Sequence, residues 1–506
     1  MNFLKWFSIK GNKSTKQEKD PELDQTLDSL LEQMKMSKDF IYFVHGKGAQ
    51  NIHCYYFKTL VDSKIVHRDI LPYLNDESIT TLEKIKASLP IEKIEITKDL
   101  KKIENKILTG SVLIKLNEKS KEAVLITAEL KQAREVSIPE VEFSVVGPKE
   151  AFVESLDTNI NLVRKRLPIP ELRLDEFQVG KLSKTKVAVI SIEGLTNKEN
   201  LNTVIQRIKD IEIDTINDSS YITQLISDNR NSPFPQLIDT ERPDRLASVL
   251  TEGKVGIIVN GAPHAIIAPT TLVEFFSAFE DYFLNWITAS FFRLIRLFAV
   301  MFSILVTPLY VAVLTYHYEL IPKDLLGILV TSRREIPLPP ILEAIFLELA
   351  IELLREAGAR LPTKVGQTIG IVGGIVIGTA SVEAGLTSNV LLIIVALAAL
   401  ASFTTPVYKM GNTIRLIRFP FLFMGHLWGL LGVAVCFCFV LGHLLRLTSL
   451  GRPFLEPLYP PRIQDLKDAF IRLPLSFQSK RPVELQTEDT MRFNPKKAKD
   501  KKEIDE

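Results

Sequence analysis

The chain has 506 residues, with 62 basic and 60 acidic side chains and a net charge of +2. That balance speaks against nucleic acid as the main partner. Three cysteines (Cys54, Cys436, Cys438) are too few for a disulfide framework, and the seven histidines have no metal-ligand spacing. The composition is split: residues 1–290 are charged and alternating, whereas residues 291–447 are mostly apolar. Several apolar stretches of membrane length in one part of a chain are hard to bury in any other way. The expectation is an integral membrane protein. Its α/β soluble N-terminal region has two subdomains, and an all-α transmembrane domain of about four to five helices follows.

In chain order, residues 1–10 hold Phe3, Leu4, Trp6 and Phe7 without the apolar core of a secretory signal, so the soluble region is expected to stay in the cytosol. Phe3, Trp6 and Phe7 suit a short membrane contact, and residues 11–22 read as disordered. Apolar spacing predicts a helix over 23–36. Residues 40–44 and 53–57 read as strands, 65–73 and 78–89 as helices, and 111–116 with 123–127 as a hairpin. In the next subdomain, Gly147 and Pro148 open a helix over 150–167, whose basic end (Arg164, Lys165, Arg166) suits a helix C-terminus. Residues 186–192 read as a buried strand and 200–211 as a helix. Asn260-Gly261 signals a hairpin between 256–259 and 264–268.

No catalytic constellation is visible. There is no Walker A loop, no GxGxxG and no GxSxG, and the "HGKG" of residues 45–48 lacks the rest of a phosphate loop. His53, Asp157 and Glu193 have no partners in the sequence pattern. Lys181, Lys184, Lys186 and Arg173 read as a solvated basic face. On a helix Cys436 and Cys438 point about 160° apart, a poor metal pair, and read as plain buried thiols. No enzyme activity, cofactor or metal is expected.

The first span is read at 291–316, with Arg293 and Arg296 at its cytosolic edge. Residues 320–330 make only about half a span. The segment 338–354 opens with two prolines suited to a helix start and carries Glu343, Glu348 and Glu352 among apolar residues. Intramembrane carboxylates face protein or water. At about 100° per residue, Glu348 and Glu352 lie about 40° apart and Glu343 about 140° from Glu348. Two readings stand: an amphipathic helix along the membrane, or a helix in or near a cation path with these carboxylates as pore-lining candidates. Gly370, Gly374 and Gly378 form a small-xxx-small row suited to helix packing. Residues 389–406 are another span. Residues 419–445 form a long one, its first part interfacial or kinked. Basic residues stand in nearly every loop, among them Arg333, Arg355, Arg415 and Arg418. Four spans place the tail inside and five place it outside. The basic end (Lys496, Lys497, Lys499, Lys501, Lys502) favours the cytosol. Residues 465–473 read as a short helix, and residues from 478 onward as disordered.

Long stretches carry a resemblance. They include "ESLDTNINLVRKRL" (154–167), "LTEGKVGIIVNGAPHAIIAPTTLVEFF" (250–276) and "REIPLPPILEAIFLELAIELLREAGARLP" (334–362). They continue with "VGQTIGIVGGIVIGTASVEAGLTSN" (365–389), "GRPFLEPLYPP" (451–461) and "DLKDAFIRLP" (465–474). In these the chain resembles the A subunits of the spore germinant receptors of Bacillus and Clostridium relatives. The resemblance covers residues 140–480 well and 38–137 more loosely. It implies a multi-pass protein of the spore inner membrane. It also implies a transporter-like B subunit and a C-subunit lipoprotein as partners, self-association into a homo-oligomer, and a ligand-gated cation channel. A non-conducting scaffold and a secondary transporter are the alternatives. The transporter lacks an inverted repeat of hydrophobic segments. The expected divisions are 1–37, 38–137, 138–285, 286–447 and 448–506.

Overall fold

The structure is a computed structural model. It describes residues 26–45, 51–75, 81–91, 93–117, 120, 122–130, 139, 142, 146–462, 465–474 and 477–493, with only the backbone for 75, 363–370, 372 and 467. The membrane contact expected of Phe3, Trp6 and Phe7, the lead-in 11–22, most of the "HGKG" segment and the basic end from Lys496 lie outside the described residues. The chain forms two compact units: residues 1–36 with 40–129, and residues 37–39 with 130–506.

The first unit is one antiparallel sheet between two helical layers. In chain order it contains α1 (Leu27–Lys35), β1 (Phe40–His45), β2 (Ile52–Phe57), α2 (Ser63–Ile65), α3 (Leu82–Ser88), β3 (Ile94–Thr97), α4 (Leu100–Leu108), β4 (Ser111–Lys115) and β5 (Ala123–Thr127). The strand order is β1-β2-β4-β5-β3. Alternation divides the core. Val112, Ile114, Val124 and Ile126 face Val66, Ile70 and Ile85, whereas Leu113 and Leu125 face Leu30, Ile103 and Ile107. Thr26 begins α1 with a reciprocal cap to Ser29.

The second unit opens with α5 (Leu156–Arg166), β6 (Leu172–Val179), β7 (Thr185–Ile192), α6 (Lys198–Lys209), α7 (Ser219–Ile226), β8 (Ile238–Thr240), α8 (Pro243–Thr251), β9 (Val255–Val259) and β10 (Ala265–Ala268). Its sheet runs β6-β7-β9-β10-β8, so the soluble part is mixed α/β with two sheets, as expected. α5 starts six residues later than the periodicity predicts. Ser155 caps it, and the Asn159 amide holds Val153 by both its N–H and its carbonyl, which keeps 151–155 extended. The last turn of α5 carries Arg164, Lys165 and Arg166, as expected, but Arg164 is not exposed. It is buried against Asp39, with bonds of 2.6 Å from both Nε and Nη2. Ala265 pairs with Ile258, so the β9–β10 connection is wider than a two-residue turn.

The helical region follows: α9 (Trp286–Tyr316), α10 (Lys323–Arg333), α11 (Pro340–Arg360), α12 (Thr363–Glu383), α13 (Asn389–Ser402) and α14 (Tyr408–Arg446). Among the described residues, two helices, α9 and α14, are long and apolar enough to cross a membrane. α14 is not straight. Trp428 and Gly429 leave helical geometry, Gly429 with φ 59° and ψ −140°. Thr413 bonds the Pro233 carbonyl, and His443 lies 2.8 Å from the Ser232 hydroxyl. A straight helix separates residues 413 and 443 by about 45 Å, so α14 turns back on itself at Gly429. Glycines permit the turn: a Cβ on Gly432 would lie 1.9 Å from the Met424 carbonyl oxygen.

The chain then returns to the α/β layer. β11 (Thr448–Ser449) and β12 (Arg452–Pro453) pair, and Ser449 bonds the Gln236 carbonyl and the Thr270 N–H. The expected helix over 465–473 is a single 3-10 turn at Asp465–Lys467. Beyond it Arg472 binds the carbonyls of Asp281, Leu284 and Tyr282, which holds the segment non-helical. Residues 477–493 are not disordered. Leu485 is buried, Arg481 bonds the Thr251 carbonyl, and Arg492 pairs with Glu252 at 2.8 Å. Cys436 is buried as expected, but Cys438 is exposed.

Candidate functional site

The polar centre of the helical region is strung along α11. Pro340 suits the first turn of this helix, where an N–H is not needed. Pro362 follows its end and starts α12. Between them Glu343, Glu348 and Glu352 climb the helix in steps of roughly 7.5 and 6 Å. The expected carboxylates face protein, and an arginine meets each.

Glu343 is 0% exposed. It accepts from Arg333 Nη2 at 2.9 Å and from the Ser388 N–H, at the α13 N-cap, at 3.2 Å. Glu348 is 2% exposed and pairs with Arg418 of α14; the Thr307 hydroxyl of α9 donates to it at 3.2 Å. Arg418 also bonds Ser303 Oγ at 2.6 Å and the Ala398 carbonyl at 3.3 Å. Burying two charges is costly, and these added partners offset part of that cost. Glu352 accepts from Arg355 Nε at 2.9 Å, and Arg415 Nε lies 3.7 Å away. The 40° spacing of Glu348 and Glu352 is realised: both turn toward α14, whereas Glu343 turns toward α10 and α13.

The glycine row has a different geometry. Gly370 lies in α12, within the stretch described by backbone alone. A Cβ on Gly374 would meet open space, and one on Gly378 would touch Leu392 of α13. The close approach to α11 is at Gly373, where a Cβ would lie 2.6 Å from Leu354.

A second polar centre ties the start of α9 to the tail. Arg293 and Arg296, expected at a solvated edge, are 2% and 9% exposed. Both bind Asp281, and Arg293 also reaches Asp468 at 2.9 Å. Arg333, Arg415 and Arg418, loop charges by sequence pattern, are the partners of these carboxylates, which the pattern does not reveal. The available signal was spacing: Arg415 and Arg418 stand three apart within an apolar stretch, matching Glu348 and Glu352 four apart. Among the described residues no group of His, Cys, Asp and Glu suits a metal ion.

Two sheets with a helical region that carries apolar, membrane-length helices and internal ion pairs define a membrane-associated protein. Residues 26–484 match the family described as Bacillus/Clostridium GerA spore germination protein. Spore germination protein GerQA of Bacillus cereus is 52% identical over 478 residues, covering 94% of this chain and 96% of the relative. Spore germination protein A1 of Bacillus subtilis is 36% identical over 92% of this chain and 95% of its own length. The crystal structure of the N-terminal domain of the A subunit of the Bacillus megaterium spore germinant receptor GerK3 is 25% identical. It covers 49% of this chain and 94% of that domain, with a TM-score of 0.35. The chain belongs to the GerA spore germination protein family, consistent with a spore germinant receptor A subunit.

Proposed function

We propose that the chain is the A subunit of a nutrient-sensing spore germinant receptor. It works in the spore inner membrane beside a transporter-like B subunit and a C-subunit lipoprotein, with its α/β region in the cytosol. Copies of the chain associate into a ligand-gated cation channel whose opening triggers germination. In this reading six segments cross the bilayer: α9, the three helices α11, α12 and α13 that among the described residues fall short of a span by length or composition and pack in one bundle with it, and the two limbs of α14. The four or five passes expected become six when α11 and both limbs are counted. An even count returns the tail to the α/β side.

The observation that carries the channel reading is the ladder of glutamate–arginine pairs along α11. Ionisable groups in apolar helices mark ion pathways or the switches that gate them. In this reading α11 borders the path, Glu343, Glu348 and Glu352 are its carboxylates, and the α12 glycines Gly370, Gly374 and Gly378 let neighbouring helices approach. Full enclosure of Glu343 and Glu348 favours a second reading, a non-conducting scaffold that organises the complex. Cation flux decides between them, measured in liposomes holding the chain, its partner subunits and nutrient. The channel reading expects wild-type flux that changes in rate or selectivity in Glu348→Gln. No flux from an oligomeric preparation leaves the scaffold. Strong flux identical in both forms leaves a channel and removes Glu348 from the path.

A further inference from the structure

The three levels of the ladder are not balanced alike. One arginine meets Glu343 and one meets Glu348. At the third level Arg355 and Arg415 share the single carboxylate of Glu352. Both also donate to one neutral acceptor, Asn412 Oδ1. The other contacts of Arg415 carry no negative charge: Nη1 lies 3.5 Å from Ser402 Oγ, the guanidinium carbon lies 5.8 Å from the centre of the Phe403 ring, and Nε makes no hydrogen bond. Yet its side chain is only 8% exposed. Lys409 does not alter the balance, because it is paired with Asp239.

Beside Arg415 the hydroxyl of Thr405 is buried and also without a hydrogen-bond partner. Gly411 lies between them. A Cβ there would lie 3.8 Å from Arg415 Nη1 and 3.9 Å from Thr405 Cβ. Arg355, with its side chain 27% exposed, forms the outer edge. This level therefore holds one guanidinium charge in excess and two orphaned donors. An enclosed charge lacking a full counter-charge is strongly unfavourable, and an anion with several oxygens corrects it. Arg415 stands six residues past Lys409, roughly 9 Å along the helix. Lys409 is anchored to the α/β subdomain, so the niche lies at headgroup depth on that side.

We propose that Arg415, Arg355 and Thr405 form a binding site for a phosphate-type anion, normally the headgroup of an anionic phospholipid. Planar guanidinium groups bind phosphate oxygens through paired N–H donors, and the Thr405 hydroxyl supplies a further bond. The bound phosphate neutralises Arg415 and braces α11 against α14. The inference rests on the membrane placement of the bundle and not on ion conduction.

The test uses the full-length chain reconstituted in vesicles of phosphatidylcholine alone or with phosphatidylglycerol. Thermal unfolding is the readout. Phosphatidylglycerol is expected to raise Tm by about 2–4 °C in the wild type, and Arg415→Gln to abolish most of that shift. Arg360→Gln, which removes an exposed arginine paired with Glu356, is expected to keep it. If Arg415→Gln does not fold, Thr405→Val and Arg355→Gln take its place, each expected to lose at least half of the shift. Inorganic phosphate titrated into phosphatidylcholine vesicles distinguishes the source. A Tm rise that Arg415→Gln removes identifies a soluble phosphate as occupant of the same site. Equal lipid shifts in wild type and niche variants, with no phosphate response, overturn the proposal while leaving conduction untouched. Recovery of the chain from vesicles as a soluble protein overturns the membrane placement, and the proposal with it.

Discussion

Asp39 and Arg164 lie 125 residues apart, yet they form the most enclosed ion pair of the second unit, with Ser37 and the Leu172 carbonyl completing its hydrogen bonds. Removing one member strands a buried charge, so Asp39→Ala is expected to cost about 3–5 kcal/mol, measured by denaturant unfolding of the purified chain. A different residue controls the tail. Burial pushes the Glu484 carboxyl up to about 8, helped by the carboxylates of Glu274, Asp465 and Glu456 and opposed by Lys254. The folded state therefore holds this proton more tightly than the unfolded chain. Its contribution is full below the ordinary carboxylate range and is lost as pH rises through about 8. Corrected for the base-catalysed rise of intrinsic exchange, amide protection in residues 480–492 is expected to fall between pH 6 and pH 9, and Glu484→Gln to flatten that dependence. A pH-independent protection factor in the wild type would contradict it.

At the scale of elements, the reversal of α14 depends on glycine. Gly429 sits at positive φ, where a Cβ would lie 2.8 Å from His317 Nε2. Gly432 lets the second limb pass the first at the Met424 carbonyl. Gly432→Val is expected to lower stability by at least about 1–3 kcal/mol, the usual range for overpacking, read as a fall in Tm of the detergent-solubilised chain. The pairing of α11 with α14 has its own test. Glu348→Gln leaves Arg418 buried without its counter-charge and is expected to lower Tm strongly, whereas the double variant Glu348→Gln with Arg418→Gln is expected to recover much of the loss. Additive losses would show that the two side chains do not act as a pair.

For the whole molecule, the six crossings proposed above would place the α9–α10 connection opposite the α/β subdomain. In a cysteine-free background, Leu320→Cys is expected to react with an impermeant thiol reagent from one face of sealed vesicles. Leu182→Cys, on the exposed β6–β7 connection, is expected to react from the other. Reaction of both from the same face would rule out this topology. The α/β layer and the bundle also share a continuous core, in which Phe234, Phe454, Met410 and Ile414 join the sheet residues Ile190 and Ile258.

The order of the molecule is legible in the sequence: charged alternation before residue 290, apolar stretches after it, and motif-length similarity that names the family. Buried strands such as Thr185–Ile192 were legible because apolar runs are local signals. Strands such as Leu172–Val179, with charges at Arg173, Asp175 and Glu176, were not, since pairing with β7 rather than composition makes them strands. The three glutamates of α11 were legible as exceptional, and their angular spacing followed from helix geometry. Their partners were not. Arg333, Arg415 and Arg418 come from elements distant in sequence, and a charge pair depends on distance and burial, which periodicity does not encode. The α14 reversal was hidden for the same reason. A glycine in an apolar run permits a turn, but contacts at both ends, to Ser232 and Pro233, decide that the chain takes it.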